Sequence, residues 1–395
     1  MRVLIILKYI PTADSDRKSD SIFSVIRGHE EEKHSVMLFT SGQKAPCDYK
    51  IINSSYTFLE RACNFILKRI FPTLASKYRI SSGIRNVIKE HKREKIDIIL
   101  AICTANHPAL HAHAIKKMTG IPYVVREHKT RMYLSSEDIQ DDYLIALREA
   151  DALIAVSPQT VEIMINSGIR DDIGVIPNCI SDEFFSPPDE DNQETAKEIQ
   201  AWADGDFIFA AWTRWRTFKR VDLLLEAFKE CKLSVKNSKL LIAGPIEPES
   251  NKEWVESFII DNALENSVWL FGKANRDQIH QIAHSIDCYV LPSDHEAMPL
   301  PPLEAVAAGK PVVATNCPGT EYIVNSKELG RIVERGNAPG LASAMLEIYH
   351  NRFEFDPAKI SENVFNRFSR TVVSKQFTKL YEKLINIQNN LNIKG

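Results

Sequence analysis

The stretch from Cys288 to Thr315, CYVLPSDHEAMPLPPLEAVAAGKPVVAT, restricts the fold of this chain more than any other. Its ends, the apolar run Cys288 to Pro292 and the β-branched run Pro311 to Thr315, suit buried parallel strands. Between them Leu303 to Ala308 is helix-forming until Gly309 stops it. In an open parallel sheet the strand-to-helix loops gather at the carboxyl edge, so Ser293 to Pro302 is predicted to line a ligand crevice. Glu296 falls in that loop, and Glu304 is expected in the first helical turn.

Pro299, Pro301 and Pro302 restrict the loop dihedrals, and a proline just inside a helix forfeits only an N–H that would be unpaired anyway. Backbone N–H groups near Met298 to Leu303 are then expected to point outward with the positive end of the helix dipole, where a phosphate can be held. A carboxylate beside an anion site makes sense if it accepts hydroxyls. A nucleotide sugar carries hydroxyls next to phosphate and meets both demands. Taken singly, Glu304 reads as an ordinary first-turn glutamate and Glu296 as a solvated loop charge; their combination points to a site.

With 395 residues, 44% hydrophobic and 26% charged, the chain has the length and composition of a two-domain globular protein. A net charge of −3 carries no global nucleic-acid footprint. The seven cysteines, at 47, 63, 103, 179, 231, 288 and 317, form no CxxC pair, and their odd number leaves at least one unpaired. That points to a reducing, cytoplasmic compartment and no structural zinc. The run Val3 to Leu7 is too short for a signal core or a membrane span, so any membrane contact is expected to be peripheral.

Other cleft candidates follow from strand ends. His128 directly follows the strand Ile121 to Glu127, at a carboxyl edge. Arg214 and Lys219 lie in the loop after the strand Asp206 to Trp212, whereas Trp212, Trp215 and Phe218 read as packing. His107 and His111 are four apart on a helix, but no HExxH glutamate accompanies them, which favours structural or cleft-facing roles over metal ligation. Tyr56 to Glu94 is rich in lysine and arginine interleaved with apolar residues. It reads either as a solvated helix face or as a surface for anionic lipid, each basic residue then contributing about 1 kcal/mol. Pro187 to Glu194 looks like a solvated hinge, and Phe365 to Asn389 like one long final helix.

The pattern PSxxExxPLxxLEAxAxGKPVVAT, with seven residues between Glu296 and Glu304, resembles the signature of retaining glycosyltransferases of the GT-B fold, family 4. ADxxIAVS followed by VIPNxI resembles the interdomain region of the same family. The resemblance implies two Rossmann-like α/β domains facing across a cleft. Residues 1–182 would form an acceptor domain, joined by a returning C-terminal helix at 366–395, and residues 183–365 a nucleotide-sugar domain. It implies that Glu296 contacts donor-sugar hydroxyls and that the backbone of Ala297, Met298, Pro299 and Leu300 holds the distal phosphate. Glu304 would take the ribose, Arg214 and Lys219 the diphosphate, and His128 would face the donor sugar. Gly272 and Lys273 would read the base through backbone groups, with a UDP-sugar expected over a GDP-sugar.

No DxD pair in a metal-ligand context is evident, so no metal is expected. Preplaced cations neutralise the departing diphosphate instead. The implied reaction is sugar transfer, with retained configuration, to a glycan or lipid-linked acceptor in cell-surface polysaccharide or glycolipid synthesis, and the enzyme is expected in the cytoplasm, peripheral on the inner membrane face. Two departures stand out: Ala297 replaces the glycine usual after the first glutamate, and the loop Thr12 to Asp20 contains no glycine. The second supports an alternative, a nucleotide-sugar-binding subunit without turnover. A nucleotide-sugar epimerase on the same fold is a further alternative.

Overall fold

The computed structural model describes residues 1–7, 18–40, 50–53, 84–104, 106–128, 141–245 and 252–394. The glycine-free segment at 12–17 and the basic stretch at 54–83 lie outside the described residues. The chain divides into two compact units, Met1–Pro177 with Val373–Gly395, and Asn178–Val372.

The first unit is built on strands β1 (Arg2–Leu7), β2 (Ser35–Thr40), β3 (Lys50–Asn53), β4 (Ile98–Cys103), β5 (Tyr123–Glu127), β6 (Ala152–Ala155) and β7 (Ile173–Val175). They form one sheet in the order β3-β2-β1-β4-β5-β6-β7, every pair parallel. Strands β1 and β4 are continuous apolar runs because helices cover both faces of such a sheet. On one face Leu4, Ile6, Phe39, Ile99 and Val125 pack with Ala109, Ala112 and Ile115 of the helix His107–Thr119. That helix ends where Gly120, at φ 75°, returns its N–H to Lys116 O. Two of its histidines bond within this unit: His111 Nδ1 lies 2.7 Å from His107 O and His113 Nδ1 3.2 Å from Tyr123 Oη.

The last helix, Arg370–Lys394, supplies part of the core of this first unit. Buried His29 sets Nδ1 against Val25 O at 2.7 Å and Nε2 against Tyr381 Oη at 2.8 Å, while His34 Nε2 meets Thr378 Oγ1 at 2.9 Å. Burial, aided by His34 and Arg126, lowers the His29 pKa to about 4. Arg126, also buried, donates to Pro177 O and lies 5.6 Å from the Phe377 ring centre. The single helix read over Phe365 to Asn389 is in fact two, Pro357–Phe368 and Arg370–Lys394. Ser369 breaks it by adopting an extended conformation and bridging to Ile180.

The second unit carries β8 (Phe207–Trp212), β9 (Ser238–Ala243), β10 (Val268–Gly272), β11 (Cys288–Leu291), β12 (Val312–Thr315) and β13 (Gly330–Val333). This sheet is also wholly parallel, in the order β10-β9-β8-β11-β12-β13. Its core joins Phe209, Ala211, Leu240, Ile242 and Val290 to Leu224 and Phe228 of the helix Val221–Ser234, and to Leu341 and Met345 of the helix Ala338–His350. The helix between β11 and β12 spans Leu300–Ala307, beginning three residues ahead of the sequence expectation. Proline is tolerated in a first helical turn, so Pro301 and Pro302 lie inside it and Glu304 is its fifth residue. Helices Glu194–Ala203, Lys252–Asp261 and Arg276–Ser285 complete the flanks. No helix among the described residues is long and apolar enough to cross a membrane.

Candidate functional site

Strand order in the second unit reverses between β8 and β11, and open parallel sheets bind ligands outside the carboxyl ends of strands at such a reversal. The loops leaving these two strands are tied together. Asp294 N donates to Phe218 O at 2.8 Å, and Arg220, left-handed at φ 52°, bonds Asp222 and Asp294. The hydrogen bonds to Asp222 first, then the charges of both carboxylates, raise the Arg220 pKa. Arg220 therefore acts as a fastener between the loops.

Lys219 on the β8 loop and Glu296 on the β11 loop meet directly: Lys219 Nζ donates to Glu296 Oε1 in a short ion pair. Their side chains are 17% and 12% exposed, so solvent screens the pair only in part. Ser293 Oγ donates to the same Oε1 at 3.1 Å, and Ser293 O is held in turn by the Thr315 hydroxyl. Burial first and the Glu296 charge second push the Cys317 thiol up to about 12.

Glu304 lies deeper, with 0% of its side chain exposed. Trp212 Nε1, at the end of β8, donates to its Oε2 at 2.6 Å, and Arg276 donates to its Oε1 at 2.7 Å. Arg276 opens the helix Arg276–Ser285, bonds Glu183 at 2.6 Å and lies 4.3 Å from the Phe184 ring centre. Neither partner of Glu304 was foreseen from sequence. Arg276 leaves no spacing signal, being 28 residues away on another helix. Trp212 left one: a tryptophan ending a buried strand needs an acceptor for its N–H.

The loop Ala297 to Leu300 joins the two glutamates. Met298 and Pro299 are buried, and Asn178 donates its side-chain amide to Met298 O at 2.9 Å and its backbone N–H to Met298 Sδ. Gly319, at φ 82°, packs on the backbone of Ala297 and Met298 so closely that a Cβ would sit 2.7 Å from Met298 Cα. Arg214 follows Trp212 by two residues and is half-buried. Gly272, at φ 78°, ends β10 with its carbonyl accepting from Gly244 N at 2.6 Å, and Lys273 beyond it is exposed. His128 belongs to the first unit. Its N–H is shared between Cys103 O at 3.3 Å and Glu127 Oε1 at 2.8 Å, and the buried Glu127 also accepts from Tyr143 Oη. Among the described residues no group of three or more His, Cys, Asp or Glu side chains is gathered as a metal site.

Two doubly wound parallel sheets, with acids and bases collected at the strand reversal of the second, define an α/β architecture whose ligand site falls at that reversal. The family described as Glycosyltransferase Family 4 matches residues 20–184, and that described as Glycosyl transferases group 1 matches residues 192–367. The chain belongs to the glycosyltransferases of the GT-B fold, enzymes that move a sugar from a nucleotide-diphosphate sugar to an acceptor.

An uncharacterized glycosyltransferase of Methanocaldococcus jannaschii is 23% identical over 240 residues, covering 60% of this chain and 61% of that protein. The UDP-Gal:alpha-D-GlcNAc-diphosphoundecaprenol alpha-1,3-galactosyltransferase of Escherichia coli is 25% identical over 300 residues, 70% of this chain and 73% of the relative. Among solved structures, HepE of Anabaena in complex with UDP is similar with a TM-score of 0.74 at 16% identity, over 97% of this chain and 100% of that one.

Proposed function

We propose that this chain transfers a sugar from a UDP-sugar to a glycan or lipid-linked acceptor in cell-surface polysaccharide or glycolipid synthesis, with retention of anomeric configuration. The observation that carries this reading is the Lys219–Glu296 pair at the strand reversal, with Glu304 held at the end of the neighbouring strand. Lys219 and Arg214 neutralise the departing diphosphate, whose developing charge is what must be stabilised. Glu296 and Glu304 accept hydroxyls of the sugar and the ribose. The loop Ala297 to Leu300 holds the distal phosphate, Gly272 and Lys273 read the base, and His128 faces the donor sugar. In a front-side reaction the departing phosphate oxygen takes the acceptor proton. Glu296, already bonded to Lys219 and Ser293, is better arranged to bind than to attack.

UDP is the favoured nucleotide because a solved structure of the same fold, HepE, is in complex with it. A lipid-linked acceptor is favoured by the E. coli relative, whose name specifies a diphosphoundecaprenol substrate. Such an acceptor places the enzyme at the cytoplasmic membrane face. The exposed residues Arg85, Lys89, Lys92 and Arg93 on the helix at 84–93 suit contact with anionic headgroups there.

The test is incubation with a panel of UDP- and GDP-sugars, with and without membrane lipid extract, following diphosphate release and glycosylated product. Release and product that both require the extract are the expected result. Binding without release would replace the proposal with a non-catalytic subunit, and an epimerised nucleotide without an acceptor product would replace it with an epimerase.

A further inference from the structure

Glu304 is gripped on both oxygens, Oε2 by Trp212 and Oε1 by Arg276. The terminal torsion of a glutamate is broad and roughly two-fold, so on its own the carboxylate plane would wander. A donor on each oxygen fixes that plane. Every carboxylate oxygen retains a further lone pair, so the hold directs Glu304 without exhausting its capacity to accept.

The two donors are not equivalent. Arg276 is 24% exposed and reaches Glu304 from the side of Glu183 and Phe184. Trp212 is wholly buried, packed edge-on to Tyr289 at a centroid distance of 4.4 Å, and belongs to a strand paired along its length with β9. Neither Trp212 nor Glu304 has exposed surface, so a ribose reaches the Glu304 carboxylate only where the partly exposed Arg276 gives way, and Trp212 is the donor that then still fixes its plane. Whatever the indole N–H does for recognition, it does through Glu304.

We propose that Trp212 is a positioning residue for nucleoside recognition: its N–H sets the plane of the Glu304 carboxylate and thereby the preference for a ribose over a 2′-deoxyribose. The proposal rests on the reading that Glu304 accepts ribose hydroxyls. The cis hydroxyls of a ribose donate side by side, and only a carboxylate held in the matching plane accepts both well. A carboxylate free to turn still carries charge, but it loses the geometry that distinguishes two hydroxyls from one.

The test is calorimetric titration of UDP, GDP and their 2′-deoxy counterparts into the full-length protein, its Trp212→Phe variant, and a variant with benzothienylalanine at position 212. The last replaces the indole N–H with sulfur and keeps its shape, so a packing defect in the phenylalanine variant does not decide the outcome. The wild-type protein is expected to favour the ribonucleotide by about ten-fold or more, the effect of a hydrogen bond to a charged group. Both variants are expected to lose most of that ratio while binding of the 2′-deoxy nucleotide changes little. An unchanged ratio, or equal weakening of both nucleotides as a merely structural role would give, overturns the proposal. A wild-type protein that binds nucleotide without favouring ribose overturns the assignment of Glu304 itself, a failure visible before any variant is measured.

Discussion

Lys219 and Glu296, 77 residues apart in the chain, form an ion pair at the point where the second sheet reverses its strand order. Lysine has three N–H donors, so Lys219 can keep Glu296 and still bind a phosphate oxygen. On the proposed reading the pair holds a cation for the leaving group and an acceptor for the sugar within one hydrogen bond of each other. Lys219→Ala is expected to lower kcat about 100- to 1,000-fold, the loss seen when one preplaced donor is removed. It also leaves Glu296 with less compensation, costing about 1–3 kcal/mol of stability. Glu296→Gln keeps the shape and should also abolish most turnover. Steady-state kinetics with circular dichroism checks both, and full activity in both variants would refute the site.

Gly319 supports the loop between the glutamates by touching its backbone. Gly319→Ala places a methyl against Ala297 O and Met298 Cα at a φ of 82°, so both sterics and backbone conformation oppose it. Thermal unfolding should show a loss of about 1–3 kcal/mol. Nucleotide affinity should fall further than in a variant of equal stability loss on the far side of the unit, such as Met345→Ala.

His128 is fixed through its backbone by Cys103 and by the side chain of Glu127, itself held by Tyr143. His128→Ala is expected to lower turnover at least ten-fold without moving the unfolding midpoint by more than a degree or so, since His128 lies just beyond a strand and is only half-buried. Glu127→Gln should cost stability as well, because it weakens a hydrogen bond within the buried network.

The His29 pKa is lowered from 6.5 to about 4, chiefly by burial. A group whose folded pKa lies below its unfolded value is protonated more readily in the unfolded chain. Stability is therefore full above pH 6.5 and falls as pH drops through the window from 6.5 to about 4. His29 alone contributes on the order of 3 kcal/mol to that fall. His34, also lowered mainly by burial, adds in the same direction. Denaturant titrations across this window should give a shallower slope for His29→Gln than for the wild type.

The second unit was the more legible half of the sequence, for physical reasons. Strands β8, β11 and β12 are apolar runs buried on both faces, and the spacing of Glu296 and Glu304 survives because one loop and one helix must carry both. Strand β3, only KIIN, is too short to show a period, and its place at the sheet edge depends on pairing with β2. The helix Glu194–Ala203 was hidden behind an acidic run that reads as solvated chain, although Thr195, Ile199 and Ala203 give it a buried face. The helix Leu300–Ala307 starts early because a local reading stops at proline, whereas a first turn admits two. Arg276 and Trp212 reach Glu304 only through tertiary folding, which no local pattern encodes.

Phe377 and Tyr381 complete the surroundings of His29, yet more than 340 residues lie between that histidine and its partners. During synthesis the first unit must therefore wait, with this pocket uncovered, while the ribosome makes all of the second. Any chaperone that attends the nascent chain should find its binding surface there, and a stop codon shortly before Val373 should yield a folded second half attached to an unfinished first.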